Sequence, residues 1–302
     1  MLLNDAHCHF FSAAFFDALM AELVRTGQRQ AGTPTGTLSQ ALAWEMPGAP
    51  EQLADRWVAE LDRHGVTRIA LIASTPGDEV SVAAAVARHP SRLVGFFMLN
   101  AAAPDAVDRA ARALGDLGLR GICLFPAAHD FRLNDDVVAR LFEVAEATGG
   151  AVFAHCGVLS MGVRKRLGLQ SSFDLRLGDP LALARVAARF PGVPTIIPHF
   201  GSGFLREALM AVDSCPNIYL DTSSSNGWVR YHPRLTLDEV FRRALDVAGP
   251  DRLLFGTDSS FFPRGWQRAI LDEQKAIVSR LGVSQDEEEK IFGGNFERLF
   301  RA

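Results

Sequence analysis

Lysine is scarce: Lys165, Lys275 and Lys290 are the only three in 302 residues, against twenty-eight arginines. Tyrosine occurs twice and cysteine four times, as Cys8, Cys123, Cys156 and Cys215. These cysteines are scattered through apolar, strand-like segments, so they read as buried free thiols and favour a cytoplasmic location. No apolar run approaches the roughly 18 to 20 residues that span a bilayer. Residues 1–5 carry neither the basic region nor the apolar stretch of a signal peptide. Basic runs are absent too, and the net charge of -4 is spread along the chain. Nucleic acid and membrane are therefore not expected as partners. No G-x-G-x-x-G or Walker sequence appears, which argues against an open doubly wound sheet with a phosphate loop.

What is present is apolar material in a regular order. Hydrophobic residues make up 48% of the chain, enough for a sizeable core. After residue 50, short apolar strands at 66–73, 93–99, 119–125, 151–154, 193–197, 218–220 and 252–255 alternate with helix-compatible segments. The helix over 51–64 closes at Gly65, the position of a helix C-cap. With the strand ending at His9, this makes eight β/α units. Near-continuous apolar strands suit a parallel sheet buried on both faces, and the pattern predicts a (β/α)8 TIM barrel over 1–302 as one domain. Residues 26–50, rich in Gly, Thr, Pro and Gln, are too long for an ordinary βα loop. Trp44 within them favours a lid over the first strand.

The chemistry-bearing residues cluster at strand ends. In Asp5-Ala6-His7-Cys8-His9, strand alternation places Asp5, His7 and His9 on one face, and two imidazoles so spaced can reach one cation. His155 follows strand five in Ala-His-Cys-Gly, His199 follows strand six in Pro-His-Phe-Gly, and Asp258 follows strand eight in Gly-Thr-Asp. Each residue alone could be a strand cap. Together they are distant in sequence, and a closed barrel brings their strand ends to one place.

These motifs, with the closing Gly-Gly-Asn-Phe-Glu-Arg-Leu-Phe, resemble the amidohydrolase superfamily. Within it they resemble the amidohydrolase-related group that includes aminocarboxymuconate-semialdehyde decarboxylase, hydroxybenzoate decarboxylases, lactonases and hydratases. The resemblance implies that His7, His9, His155 and Asp258 ligate one divalent metal, Zn2+ first and Mn2+ second. It also implies that His199 acts as acid/base or polarises the substrate. Such a donor set leaves a position for water, whose pKa on zinc falls to about 7, with Asp258 and His199 moving protons. Binuclear relatives bridge their metals with a carboxylated lysine at strand four; this strand has none, so a single metal is expected. Cys123 there reads as a core thiol.

Other residues are assigned to substrate binding. Arg164 and Arg166, flanking Lys165 after strand five, suit a carboxylate, although a solvated basic loop is the alternative. His129 and Trp44 are expected at the pocket, with Phe261, Phe262 and Trp266 as an apolar wall. Asp221 either orients a ligand or caps its loop. His64 and His89 read as structural, and His232 is open to both readings. The leading expectation is metal-dependent hydrolysis of a small carbonyl substrate (lactone, ester or amide). Decarboxylation of an aromatic or unsaturated acid is the alternative, and a non-catalytic metal-binding barrel the third reading. The expected partner is a small molecule, and a homodimer is compatible with the pattern.

Overall fold

The computed structural model describes residues 2–223 and 227–301. Eight parallel strands follow one another in sequence order: β1 (Asn4–Phe10), β2 (Arg68–Ala73), β3 (Leu93–Leu99), β4 (Gly121–Leu124), β5 (Ala151–Ala154), β6 (Thr195–Ile197), β7 (Ile218–Asp221) and β8 (Leu253–Leu254). The barrel closes through the chain after β8. Ala6 N donates to Phe255 O (2.8 Å), His9 N to Ser259 O (2.7 Å) and Asp258 N to His7 O (2.8 Å). This is the (β/α)8 architecture that the strand–helix alternation predicts.

The helices pack as their periodicity dictates. Pro50–His64 starts on a proline, whose missing N–H costs nothing in the first turn, and ends on Gly65 at φ 68°. It buries Leu53, Ala54, Trp57 and Leu61 along one face. Such residues form the outer core between strands and helices. A separate inner cluster, including Ala6, Ile72, Phe96, Cys123 and Phe153, fills the barrel. Among the described residues no helix is long and apolar enough to cross a membrane.

Strand β1 departs from simple alternation. Its register against β2 runs Asp5–Ile69 and then Cys8–Leu71, so three steps on β1 match two on β2. This bulge puts two successive residues on the inner side: Ala6 joins the inner core and His7 lines the cavity at the strand ends. Cys8 and Phe10 face the outer core. Asp5, expected beside His7 and His9, instead bonds Trp266 of the outer core through its indole N–H (2.8 Å). One extra residue, as in other bulges, re-aims every side chain beyond it.

Residues 26–50 contain a short helix, Thr37–Leu42. Leu38, Leu42 and Trp44 pack with Phe15, Phe16, Leu19, Met20 and Leu23 of the helix Ala13–Arg25 and with Leu169. This third cluster is distinct from both barrel cores. Arg164 ties to it through Glu22 with two N–H donors, and Gln28 Nε2 donates to Gly168 O (3.0 Å).

Candidate active site

A cavity of about 520 Å3 opens at the C-terminal ends of the strands, lined by His7, His9, His155, His199 and Asp258 among others. The backbone there is held in unusual conformations. Asp258 and His199 both have φ 55°, the left-handed region that non-glycine residues enter only when the surroundings impose it. Both follow short strands whose chain must turn at once, and the turn aims their side chains at the cavity. Gly256 permits the close packing behind them: a Cβ there would meet Asp221 Oδ1 at 2.6 Å and His7 Cβ at 3.0 Å.

Hydrogen bonds behind the imidazoles set which nitrogen faces inward. His7 Nδ1 donates to Asp221 Oδ2 at 2.6 Å, and its buried Nε2 has no hydrogen-bond partner among the described residues. Ser74 gives its hydroxyl proton to Ile72 O (2.8 Å), so its oxygen accepts the Nδ1 proton of His9 (2.8 Å). Both Nε2 atoms thus turn toward Asp258, whose Oδ1 lies 3.7 Å from His7 Nε2 and 3.1 Å from His9 Nε2. A lone pair facing a carboxylate at that distance is repulsive unless a proton or a cation stands between them. Ligand atoms of His7, His9 and Asp258 all lie within 4.8 Å of one another. Two nitrogens of fixed tautomer, an orphaned buried Nε2 and a carboxylate fit a divalent cation.

The centre demands positive charge, which a proton or a cation between the Nε2 atoms and Asp258 supplies. Burial works against an ionised Asp258, but a proton shared with His9 Nε2 and the positive potential of the surrounding imidazoles hold its carboxyl far below the usual range. Burial would depress His7 as well; the charge and hydrogen bond of Asp221 override it and raise the imidazole to about 9. Asp221 is lowered in turn: His7 outweighs its burial.

His155 and His199 complete the polar rim. His199 Nδ1 lies 2.8 Å from Ser223 Oγ and 3.0 Å from Ser223 O; the carbonyl can only accept, so Nδ1 carries the proton and Nε2 is left as a proton acceptor. Burial, then the charge of His7, lowers its pKa. His155 stacks on Phe125 (ring centroids 5.3 Å) and lies 5.3 Å from the His199 ring. Burial first, then His199 and His7, depress it well below normal. It shares the cavity with His7, His9 and Asp258 but lies outside the group whose ligand atoms are within 4.8 Å of one another.

The predicted substrate-binding residues separate. Trp44 and Arg166 line the cavity. Arg164 is bound to Glu22, Ser171 Oγ (2.9 Å) and Gln170 O (2.5 Å), and His129 ends the short helix Pro126–His129; neither lines the cavity. Of the expected wall, Phe261 lines the cavity, whereas Phe262 packs near Trp57 and Trp266 belongs to the outer core. His89 pairs with Asp55 (2.6 Å), His64 lies 3.5 Å from Glu60, and His232 contacts Gly203 O (2.9 Å).

Sequence reasoning missed Ser74, Ser223 and Arg264. Arg264 lines the cavity, donates to Ser260 Oγ (2.7 Å) and sits 4.3 Å over the Phe261 ring. Phe261 stacks on Trp44 (4.1 Å), Trp44 on Phe11 (5.6 Å), and Phe11 on Phe15 (3.9 Å). One wall of the cavity is therefore a run of stacked rings ending in a guanidinium.

Fold and donor set define a class: a (β/α)8 barrel with a histidine–carboxylate centre at its strand ends. The chain belongs to the amidohydrolase family, described as Amidohydrolase, which it matches over residues 4–302. Protein fluG of Emericella nidulans is 27% identical over 139 residues, 46% of this chain; the chain spans only 15% of that relative's length. Two solved structures share the fold over the whole chain. A dihydroxybenzoic acid decarboxylase from Polaromonas sp. JS666, with bound manganese and the inhibitor 2-nitroresorcinol, has a TM-score of 0.66 at 17% identity, covering 99% of this chain and 97% of that one. A probable 2-pyrone-4,6-dicarboxylic acid hydrolase from Acinetobacter baumannii, with citric acid bound, has a TM-score of 0.61 at 14% identity, covering 99% of each chain.

Proposed function

We propose that this chain is a metal-dependent hydrolase of a flat, carboxylate-bearing carbonyl compound, such as an unsaturated lactone or an aromatic ester. The observation that carries this reading is the stacked wall Phe15–Phe11–Trp44–Phe261, capped by Arg264, facing the His7, His9 and Asp258 group. Stacked rings prefer a planar ligand. Arg264 donates to Ser260 Oγ (2.7 Å) and Asp258 O (3.4 Å), which aims its guanidinium at the cavity, where it suits a substrate anion.

His7, His9 and Asp258 would hold the metal, with His155 beside them. A bound divalent cation polarises carbonyl oxygens and lowers the pKa of water. The protein's own groups supply the rest. Arg264 and Arg166 hold the carboxylate, and the aromatic wall fixes the ring plane. His199 Nε2, with its Nδ1 proton committed to Ser223 O, accepts a proton from water during attack and returns it to the leaving oxygen. Hydrolysis is the leading reading because the Nδ1 proton of His199 is committed to Ser223 O, which leaves Nε2 at the cavity as the acceptor that attack by water needs.

Decarboxylation of an aromatic acid is the second reading, favoured by the same aromatic wall and by the fold shared with the dihydroxybenzoic acid decarboxylase. Loss of ultraviolet absorbance in parallel panels of pyrone and lactone carboxylates and of hydroxybenzoates separates the two. Arg264→Met tests the substrate class. We expect KM for carboxylate-bearing substrates to rise about 10- to 100-fold, the worth of a charge-assisted hydrogen bond, with little change for neutral analogues. Equal effects on charged and neutral substrates would remove the argument for an anionic one.

A further inference from the structure

The site uses the side chains of His7 and Asp258 but not the carboxylate that lies two residues before His7. Asp5 is 0% exposed, and five donors converge on it. Oδ1 accepts His7 N–H (2.9 Å) and Thr257 N–H (3.1 Å). Oδ2 accepts Thr257 Oγ1 (2.6 Å), the Trp266 indole N–H (2.8 Å) and Cys8 Sγ (3.3 Å). These donors come from both sides of the barrel seam, and that seam is irregular on both sides. On one side β1 bulges between Asp5 and Cys8; on the other β8 spans two residues and the chain beyond it turns through Asp258 at φ 55°. A bulge leaves backbone groups without regular ladder partners. The Asp5 carboxylate accepts the amide of one metal-binding candidate, His7, and the amide just before the other, Asp258.

We propose that Asp5 is a positioning residue that sets the separation of His7 and Asp258, and so the affinity of the centre for its metal. Backbone bonds already join Ala6 to Phe255, His7 to Asp258 and His9 to Ser259 across the seam, and Asp5 Oδ1 takes the two amides, of His7 and Thr257, that those bonds leave out. Oδ1 fixes the backbones of β1 and the β8 turn against each other, and Oδ2 anchors the pair to Trp266 in the outer layer. The inference rests on the reading that His7, His9 and Asp258 hold a divalent metal.

Co2+ binding to the metal-free chain is the test, read by chelator competition and by the visible spectrum of the Co2+-loaded protein, alongside thermal unfolding without metal. Asp5→Asn places an amide NH2 where donors now point. We expect about 10- to 100-fold weaker Co2+ binding, the usual loss when a group supporting metal ligands is removed, and an altered spectrum. Thr257→Val keeps the side-chain size and removes one bond to Oδ2; we expect about tenfold weaker binding, and this variant decides the question if Asp5→Asn fails to fold. Leu183→Ala, in the outer core away from the seam, is the control for lost stability alone and should bind Co2+ as the wild type does. Wild-type affinity and spectrum in folded Asp5 or Thr257 variants, or an equal loss in the Leu183 control, overturns the role of Asp5 only. Failure of the wild-type chain to bind Co2+ overturns the metal reading beneath it.

Discussion

Asp221→Asn changes one atom and forces a conflict that the structure makes explicit. In the native chain Oδ2 accepts the His7 Nδ1 proton at 2.6 Å, while Oδ1 accepts Ser223 N–H at 2.6 Å. An amide offers one acceptor for these two donors. If its oxygen stays with Ser223, the NH2 faces His7 Nδ1 and drives the imidazole proton to Nε2, the atom that faces Asp258. If its oxygen stays with His7, the NH2 opposes the Ser223 amide. A bare charge interaction at 2.6 Å in an effective dielectric of 20 would be about 6 kcal/mol. That figure is a ceiling, because it leaves out the cost of desolvating both groups. The loss of a charge-assisted hydrogen bond, about 1.5–3 kcal/mol, is the better guide. It corresponds to about 10- to 100-fold in affinity, the range typical of groups that orient metal-binding histidines. The assay is competition between the metal-free protein and a chromogenic chelator for Mn2+ or Zn2+. Metal binding by Asp221→Asn within twofold of wild type would refute the claim that Asp221 sets the His7 tautomer.

Three further outcomes are expected. His199→Leu should retain metal while losing about 10²- to 10⁴-fold in turnover, the usual contribution of a positioned acid/base; turnover near wild type in a metal-loaded variant removes His199 from the chemistry. Trp44→Ala deletes a buried indole, a loss of about 3–5 kcal/mol in a well-packed core. Because its cluster is separate from the barrel cores, the damage should appear as protease cleavage within residues 26–50 while the barrel still unfolds cooperatively. Burial holds the His129 imidazole below its ordinary 6.5. As pH falls below 6.5 the unfolded chain takes up that proton before the folded one does, so stability declines toward acid. His129→Leu should flatten the dependence of Tm on pH below 6.5, and an unchanged slope refutes the assignment.

The barrel was legible because its strands are apolar on both faces and end in abrupt polar punctuation. Ala-His-Cys-Gly and Pro-His-Phe-Gly mark both the strand end and the residue presented there. Alternation failed at β1, since no residue between Asp5 and Cys8 announces a bulge, and the bulge determines that Asp5 leaves the face of His7. The residues that fix the imidazoles were harder to find. Ser74 is a lone serine and Ser223 the first of three in a row, and their roles exist only because the fold brings the end of β2 beside His9 and the end of β7 beside His199. Arg164 and Arg166 looked alike as neighbours in a basic run. About half a helical turn separates their fates: Arg164 meets Glu22, and Arg166 lines the cavity. Within 26–50, Leu38 and Leu42 at helical spacing before Trp44 were the available signal for an ordered helix, masked by the Gly, Thr and Pro around them.

The aromatic stack also makes the cavity observable. Of the four tryptophans, Trp44 is the one that lines it, in contact with Phe261 on one side and Phe11 on the other. A flat ligand settling against that wall changes the surroundings of one indole and leaves Trp57, Trp228 and Trp266 where they were. Trp44 emission, isolated by comparison with a Trp44→Phe chain, therefore serves as a built-in optical gauge of occupancy. Substrates can be sought by titration before any turnover assay exists.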